Sequence, residues 1–521
     1  MPRLALLLPA LFTLLIFAQF MPGRFTYDDF SVIRDDQRLG DPAFVLQLPV
    51  APWHANPDHA SVSRPLTTAT FYLQTQVHGK AATPFRAVNL LLFLVLVTQV
   101  ASFTFLISRR LASALAAGFL FAAHPIHVEI VPSVVGRAET LAAIFALAAI
   151  HQYIRHREHL ATGRAVLIAL FVLLAGLSKE HGYLAAPIIG LAELAYRHIE
   201  RKPIIKPVPV KMVAALAVVA AFAVTQRVTY RALLTEPLVP TAAIDNPLVD
   251  AALGERLVTP FKLVGKATEN LIAPLNLSPD YSPGILMPTD SLADPLVVLG
   301  LFAIAVYVAI LAFAWRHRHP ALIPLLAMPV AWFIPSNTIF PIGTIFGDRL
   351  LAFLSVFAAA AVATLIPWHR FNSRASLAVA VLPVAAAVIF FSLQTISYAA
   401  VWVDNTTLTA YTVQRHPEGA RFRATLARDL LLLATDAPDA ETRDRYIRAS
   451  ADQALSAIDI WPNHDRPYVV LGLLAELEQE FESARQFYEL AESINPRSPA
   501  IERLAYLRTN QPQIFADQPN N

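Results

Sequence analysis

Runs of apolar residues, each near the length of a membrane-crossing helix and separated by polar turns, recur along the chain as far as residue 400. They fall at 3–21, 87–107, 111–127, 138–154, 164–178, 183–197, 211–229, 294–315, 320–335, 347–367 and 375–400. Crossing the hydrocarbon core takes about 20 apolar residues, so the pattern reads as about eleven spans. Basic residues mark every second turn: Arg109 and Arg110, the stretch Arg155 to Arg164, the stretch Arg197 to Lys211, Arg316 to His319, and His369 to Arg374. Basic turns favour the cytoplasmic side. The N-terminus is then inside, and segments 22–86, 128–137, 179–182, 230–293 and 336–346 are outside, as is the C-terminal segment. Residues 256–277 break the pattern, because Lys262, Lys266 and Glu269 recur there at helical spacing. A helix lying in the outer interface suits that stretch; as a span it would put every later basic turn on the wrong side. The first run could also be a secretory leader. No small-x-small cleavage site follows it, so it reads as an uncleaved helix.

Past residue 400 the pattern changes to charged, helix-periodic sequence without a membrane-length run. Within 465–498, Tyr468, Leu471, Gly472, Ala475, Phe481, Ala484, Tyr488, Ala491 and Pro496 stand at tetratricopeptide positions, in a repeat of about 34 residues. Pro462 and Pro496 are one repeat length apart, as are Ala457 and Ala491. Small residues let two helices approach closely, and the proline ends the second. A degenerate repeat over 419–464 and a frayed polar tail over 511–521 complete the expected organisation: a membrane domain over 1–400 and a helical repeat domain over 401–510. The fold class is all-α.

Composition supports this. The chain is 55% hydrophobic with 15% charged residues, against about 25% charged in soluble domains. A net charge of +2 says nothing about nucleic acid, and no basic run or aromatic-basic interleaving suggests it as a partner. With no cysteine, disulfides, thiolate metal sites and a cysteine nucleophile are excluded.

Candidate chemistry gathers where outer loops meet spans. Asp28 and Asp29 follow the first run, behind Tyr27. Adjacent aspartates can simply cap a helix or open a turn. A carboxylate partly withdrawn from water here would instead have the raised proton affinity of a general base. His124, His127 and Glu129 form H-P-x-H-x-E. Two imidazoles and a carboxylate could bind metal, but this spacing, with Pro125 inside, does not make one helical face. A polar kink with histidines bonded to backbone is the better reading. Arg137 and Glu139 read either as a capping ion pair or as a phosphate-binding arginine with a nearby carboxylate. Lys179, Glu180 and His181 stand in a row on a short outer turn, as interface markers or as a site. Arg64 opens a second expected interfacial helix, and Arg349 heads an apolar span. Arg64, Arg137, Lys179 and Arg349 share one expected side, and their summed positive charge suits an anionic lipid headgroup.

The order of these motifs resembles a known family. Y-D-D after the first span, S-R-P-L, H-P-I-H-V-E with V-V-G-R-A-E, L-S-K-E-H-G, P-S-N-T-I-F-P-I-G followed by D-R, and then tetratricopeptide positions together resemble the transmembrane and tetratricopeptide repeat-containing family. That family comprises O-mannosyltransferases of the GT-C fold that use a polyprenyl-phosphate mannose donor. The short repeat array makes the chain look like a bacterial relative, which would place it in an inner membrane. The resemblance implies an inverting transfer to a protein or glycan acceptor outside the cytoplasm. Asp28 would be the catalytic acid, with Asp29 assisting; Arg64, Arg137, Lys179 and Arg349 would bind donor phosphate. His124, His127, Glu129, Glu139, Glu180 and His181 would support the site, and the repeats would dock the acceptor. No cofactor is implied beyond the lipid-linked donor, and some members need no metal. Asp348 replaces the family's glutamate before Arg349, leaving the partner of that arginine open. A non-catalytic scaffold binding a cell-envelope partner through its repeats is the main alternative. A transporter would need broken helices and ionisable residues in mid-span.

Overall fold

The computed structural model describes all residues except 1, 55–61, 204–209, 234–240, 372 and 516–521; the last six of the tail expected to fray lie outside the described residues. Helices and turns make up the described residues, with no strand among them. The first part of the chain contains α1 (Pro2–Ala5), α2 (Leu8–Phe17), α3 (Pro65–His78), α4 (Ala82–Ser108), α5 (Leu111–Ala123), α6 (Arg137–His156) and α7 (Thr162–Ser178). After them come α8 (Ala185–Ile199), α9 (Val210–Leu233), α10 (Leu253–Ile272), α11 (Pro295–Arg316), α12 (Leu322–Trp332), α13 (Leu351–Leu365) and α14 (Arg374–Val401).

All eleven apolar runs fall on helices, the first on α1 and α2 together. Among the described residues six helical segments are long and apolar enough to cross a bilayer, those containing α4, α6, α9, α11, α13 and α14. Leu8–Phe20, Leu111–Ala123, Thr162–Ser178 and Leu322–Trp332 are apolar but shorter, and α8 carries Glu193 and Arg197. The long helices sort into two layers. The most apolar stretch of α6 is 83% buried, whereas those of α9, α11 and α14 are 11% buried. Apolar surface this extensive is stable only against lipid or a partner, so these three form the outer layer of an integral membrane protein. The inner helices pack through aromatic contacts such as Phe93 on Phe121 and Phe103 on Phe357.

The segment set apart by its lysines is α10. It lies along α11 because Gly265 and Gly300 let the backbones touch; a Cβ at either would run into Leu296 O or Phe261 O. Lys262 reaches Asp294 at 2.9 Å. The helix expected at Arg64–Pro65 is α3, tied by the Thr67 hydroxyl to Ser178 O, 3.0 Å away at the end of α7.

The basic turns collect at one end. Arg157 bonds Glu193 (2.9 Å) and Glu200 (2.7 Å), Lys202 bonds Glu158 (2.9 Å), and Arg318 donates to His198 O at 3.1 Å. The segments read as outer loops meet at a separate cavity. Beyond α14 come α15 (Asn405–Arg415), α16 (Ala420–Thr435), α17 (Ala440–Ile460), α18 (Asp465–Leu477), α19 (Phe481–Ile494) and α20 (Ala500–Asn510). Consecutive members pack on one another. The Tyr488 ring covers Gly472, Ala484 and Ala491 are buried beside it, and Pro496 follows the end of α19.

Candidate active site

The site begins with a tight turn. Asp29 N–H donates to Thr26 O (3.0 Å), and a five-residue π-turn, Phe30–Arg34, follows. The two aspartates therefore point opposite ways. Asp29 is fully buried and turned inward, accepting from Val135 N–H (2.9 Å) and Thr26 N–H (3.2 Å). It anchors the loop to the segment before α6 and does not line the cavity. Burial, opposed by those backbone donors, pushes its pKa up to about 6. Asp28 points into a cavity of about 810 Å³ and pairs with Arg349 Nη1 at 3.0 Å. Burial works to raise the Asp28 pKa, but Arg349, His54 and Arg421 outweigh it and hold the carboxyl below the usual range. The raised affinity expected from sequence is thus found on Asp29, and Asp28 is poised the other way by its cation. Beside them the Ser31 hydroxyl lies 3.2 Å from Asp28 O and 3.1 Å from His54 Nδ1. One hydroxyl hydrogen serves both contacts only if Ser31 donates to the carbonyl and Nδ1–H donates to Ser31.

Arg349 ends up here because the turn before α13 folds under the loop. Its N–H donates to Glu129 Oε2 at 3.3 Å, so Glu129 supports Arg349 from beneath the cavity. Asp348 is fully buried and turned away, accepting from Asn270 (2.5 Å), Tyr281 OH (3.1 Å) and Ser278 N–H (3.1 Å). The partner of Arg349 is Asp28, not its neighbour. Across the cavity Lys179 pairs with Glu139, and His181 Nδ1 sits 3.5 Å from the same carboxylate. Arg64 bonds Glu180 at 3.3 Å and stacks on Trp53, 4.8 Å from its ring centre. Arg421 of α16 also lines the cavity, paired with Asp245 and 3.4 Å from Asp280.

The structure thus brings together Asp28, Arg64, Glu139, Lys179, Glu180, His181 and Arg349. It does not bring Arg137. That guanidinium is fully buried and bonded to Asn89 (2.8 Å), Gln74 (2.8 Å), Thr70 (3.3 Å) and Phe85 O (3.0 Å), between the rings of Phe71 and Phe85. It neither caps with Glu139 nor reaches the cavity; it packs α6 onto α3 and α4. His124 and His127 are also buried away from the cavity, bonded to Leu271 O (3.0 Å) and Ser355 Oγ (3.1 Å). Among the described residues no group of His, Asp and Glu is arranged to hold a metal. Among the described residues the lining shows no net positive charge: it holds five cations, Arg64, Lys179, Arg227, Arg349 and Arg421, and five carboxylates, Asp28, Glu139, Glu180, Asp245 and Asp280. Sequence reading did not find Asp245, Asp280, Ser31, His54 or Arg421. Acids beside Pro247 and Pro279 in an outer segment were a signal for the first two; Arg421 was hidden inside sequence that reads as a helical repeat.

Fold and site together define a polytopic, all-helical membrane protein whose loops build a charge-paired cavity at one end. Its sequence is similar to that of protein O-mannosyl-transferases. It is 27% identical to protein O-mannosyl-transferase F38B6.6 of Caenorhabditis elegans over 55% of this chain and 40% of that one. It is 27% identical to human protein O-mannosyl-transferase TMTC3 (63% and 38%) and 26% identical to Drosophila melanogaster Tmtc3 (68% and 46%). The matched region spans less than half the length of each of these relatives. No protein-family model matches the chain. Among solved structures, the archaeal oligosaccharyltransferase AglB from Archaeoglobus fulgidus, in complex with an inhibitory peptide and a dolichol-phosphate, overlays with a TM-score of 0.43 at 14% identity, covering 85% of this chain and 59% of that one.

Proposed function

We propose that this chain is a glycosyltransferase of the GT-C type that moves a sugar, mannose by its similarity to the O-mannosyl-transferases, from a polyprenyl-phosphate carrier to a hydroxyl of a protein or glycan acceptor, inverting the anomeric centre. Asp28 is the general base. It takes the acceptor proton as the acceptor oxygen bonds to the anomeric carbon; the bond from that carbon to phosphate oxygen breaks, and its electron pair leaves with the lipid phosphate. The observation that carries this reading is the Asp28–Arg349 ion pair facing the cavity. It places the base and a cation for the leaving group in contact, both only partly exposed to solvent. Donor phosphate would draw Arg349 away from Asp28. The freed carboxylate then regains the proton affinity that its partner suppresses, so donor binding itself prepares the base. Lys179 and Arg64, paired on the opposite wall, are the second and third phosphate candidates. The cavity faces the extracytoplasmic side in this reading, supported by the gathering of basic turns at the other end.

The test is transfer from radiolabelled polyprenyl-phosphate mannose in reconstituted membranes. Asp28→Asn should lower the rate about 10²- to 10⁴-fold. Full retention would remove Asp28 from the mechanism and favour the scaffold reading.

A further inference from the structure

Tyr27, immediately before the proposed base, has φ +48°, a left-handed conformation uncommon for a bulky side chain. Such a backbone persists only where its surroundings over-determine it; beside the local bonds of the turn and its anchor at Val135, three groups that hold Tyr27 come from one remote part of the chain. Asn405 Oδ1 at the start of α15 accepts from Tyr27 N–H at 2.9 Å. Arg421 Nη1 near the start of α16 donates to the Tyr27 phenol oxygen at 3.4 Å. The Phe422 ring lies against the Tyr27 ring, centroids 5.4 Å apart.

The two polar groups are themselves fixed. Asn405 Nδ2 donates to Asp429 Oδ2 at 2.7 Å, and Asp429 also accepts from Thr409 (3.2 Å) and Arg428 (2.9 Å). Arg421 is held by Asp245, by Asp280 and by Ile244 O at 2.8 Å. The same junction grips the loop upstream: Arg24 N–H donates to Val403 O at 2.8 Å.

We propose that Asn405 and Arg421 are positioning residues of the transfer reaction: the C-terminal helices hold Tyr27 in its left-handed turn and thereby aim Asp28 at Arg349. The C-terminal segment is then a wall of the active site as well as any docking surface it offers. A ligand or acceptor that shifts α15 or α16 alters the base directly. This inference rests on the transferase reading, but the clamp has its own readout.

The experiment uses the full-length protein with Asn405→Ala, which removes the acceptor for Tyr27 N–H at a residue that does not itself line the cavity. Hydrogen–deuterium exchange of the peptide spanning Tyr27 and Asp28 is followed together with transfer kinetics. Expected are faster exchange in that peptide, unchanged exchange in α4 and α6, and a kcat lowered about 10- to 100-fold with the donor KM within about two-fold of wild type. Exchange at the wild-type rate overturns the clamp. Faster exchange with unaltered kcat overturns its role in positioning. Faster exchange in a protein whose wild type transfers no sugar upholds the clamp and removes the transferase reading instead. Arg421→Lys keeps a charge beside Asp245 and Asp280 but loses the planar fork that also reaches Tyr27. It should loosen the same peptide to a smaller degree, which keeps the proposal testable if Asn405→Ala does not fold.

Discussion

Asp28 ionises below the usual carboxylate range because Arg349 and His54 offset its burial, and this fixes a sign in the pH dependence. As the proposed base, Asp28 would work ionised, so activity would be lost as pH falls through its pKa. In the free protein that pKa is depressed, and the acid limb of kcat/KM should lie below the ordinary aspartate value of about 4. Once a donor phosphate occupies Arg349, the carboxylate loses its partner, so the acid limb of kcat should appear at higher pH. Coincident limbs would mean that Arg349 never leaves Asp28. Arg137 makes the opposite kind of prediction. Arg137→Met would leave the buried Asn89 Oδ1 and Gln74 Oε1 without this donor, a loss of about 2–5 kcal/mol. Thermal unfolding in detergent should drop sharply, with donor KM unchanged in whatever protein survives. Residue identities were legible in the sequence while their pairings were not. Arg137 and Glu139 are neighbours in a motif, yet one turns into the helix packing and the other faces the cavity. Asp28 and Arg349 meet across 321 positions, which no local spacing encodes.

At the level of helices, hydropathy and charge carried most of the information. Every apolar run became a helix, and the lysines of α10 set it apart from the spans. Boundaries were less legible, because turns and caps depend on neighbours that only the fold supplies. The contact of α10 with α11 shows why: two glycines far apart in sequence permit it, and neither advertises its role. Gly300→Leu should force the helices apart at a cost of about 1–3 kcal/mol or more, measurable as a lowered unfolding temperature. An unchanged temperature would show that this contact is dispensable.

Across the whole molecule, loops separated by most of the chain converge on one end, and the basic turns on the other. Because the chain contains no cysteine, a single introduced thiol reports sidedness without background. Asp41→Cys, exposed at the cavity end, should react with a membrane-impermeant maleimide added to intact cells; Arg164→Cys, exposed at the opposite end, should not. The reverse pattern would invert the topology. Hydropathy divided the chain at residue 400, but Arg421 and Asn405 cross that division to hold the first loop. The reason is physical: a helical segment announces its own periodicity in sequence, not the surface it rests on.

If the cavity takes a lipid-linked phosphate as proposed, the balance of charge among its described lining residues has a consequence for selectivity. Orthophosphate drifting in from water would have to pry a carboxylate off its cation and gain only another ion pair of similar strength. A phosphate carried at the tip of a long hydrocarbon is delivered by the bilayer, which supplies what the exchange of partners does not. Millimolar orthophosphate should therefore compete feebly, and the protein would tell tethered from free anions with no part devoted to sensing the tether.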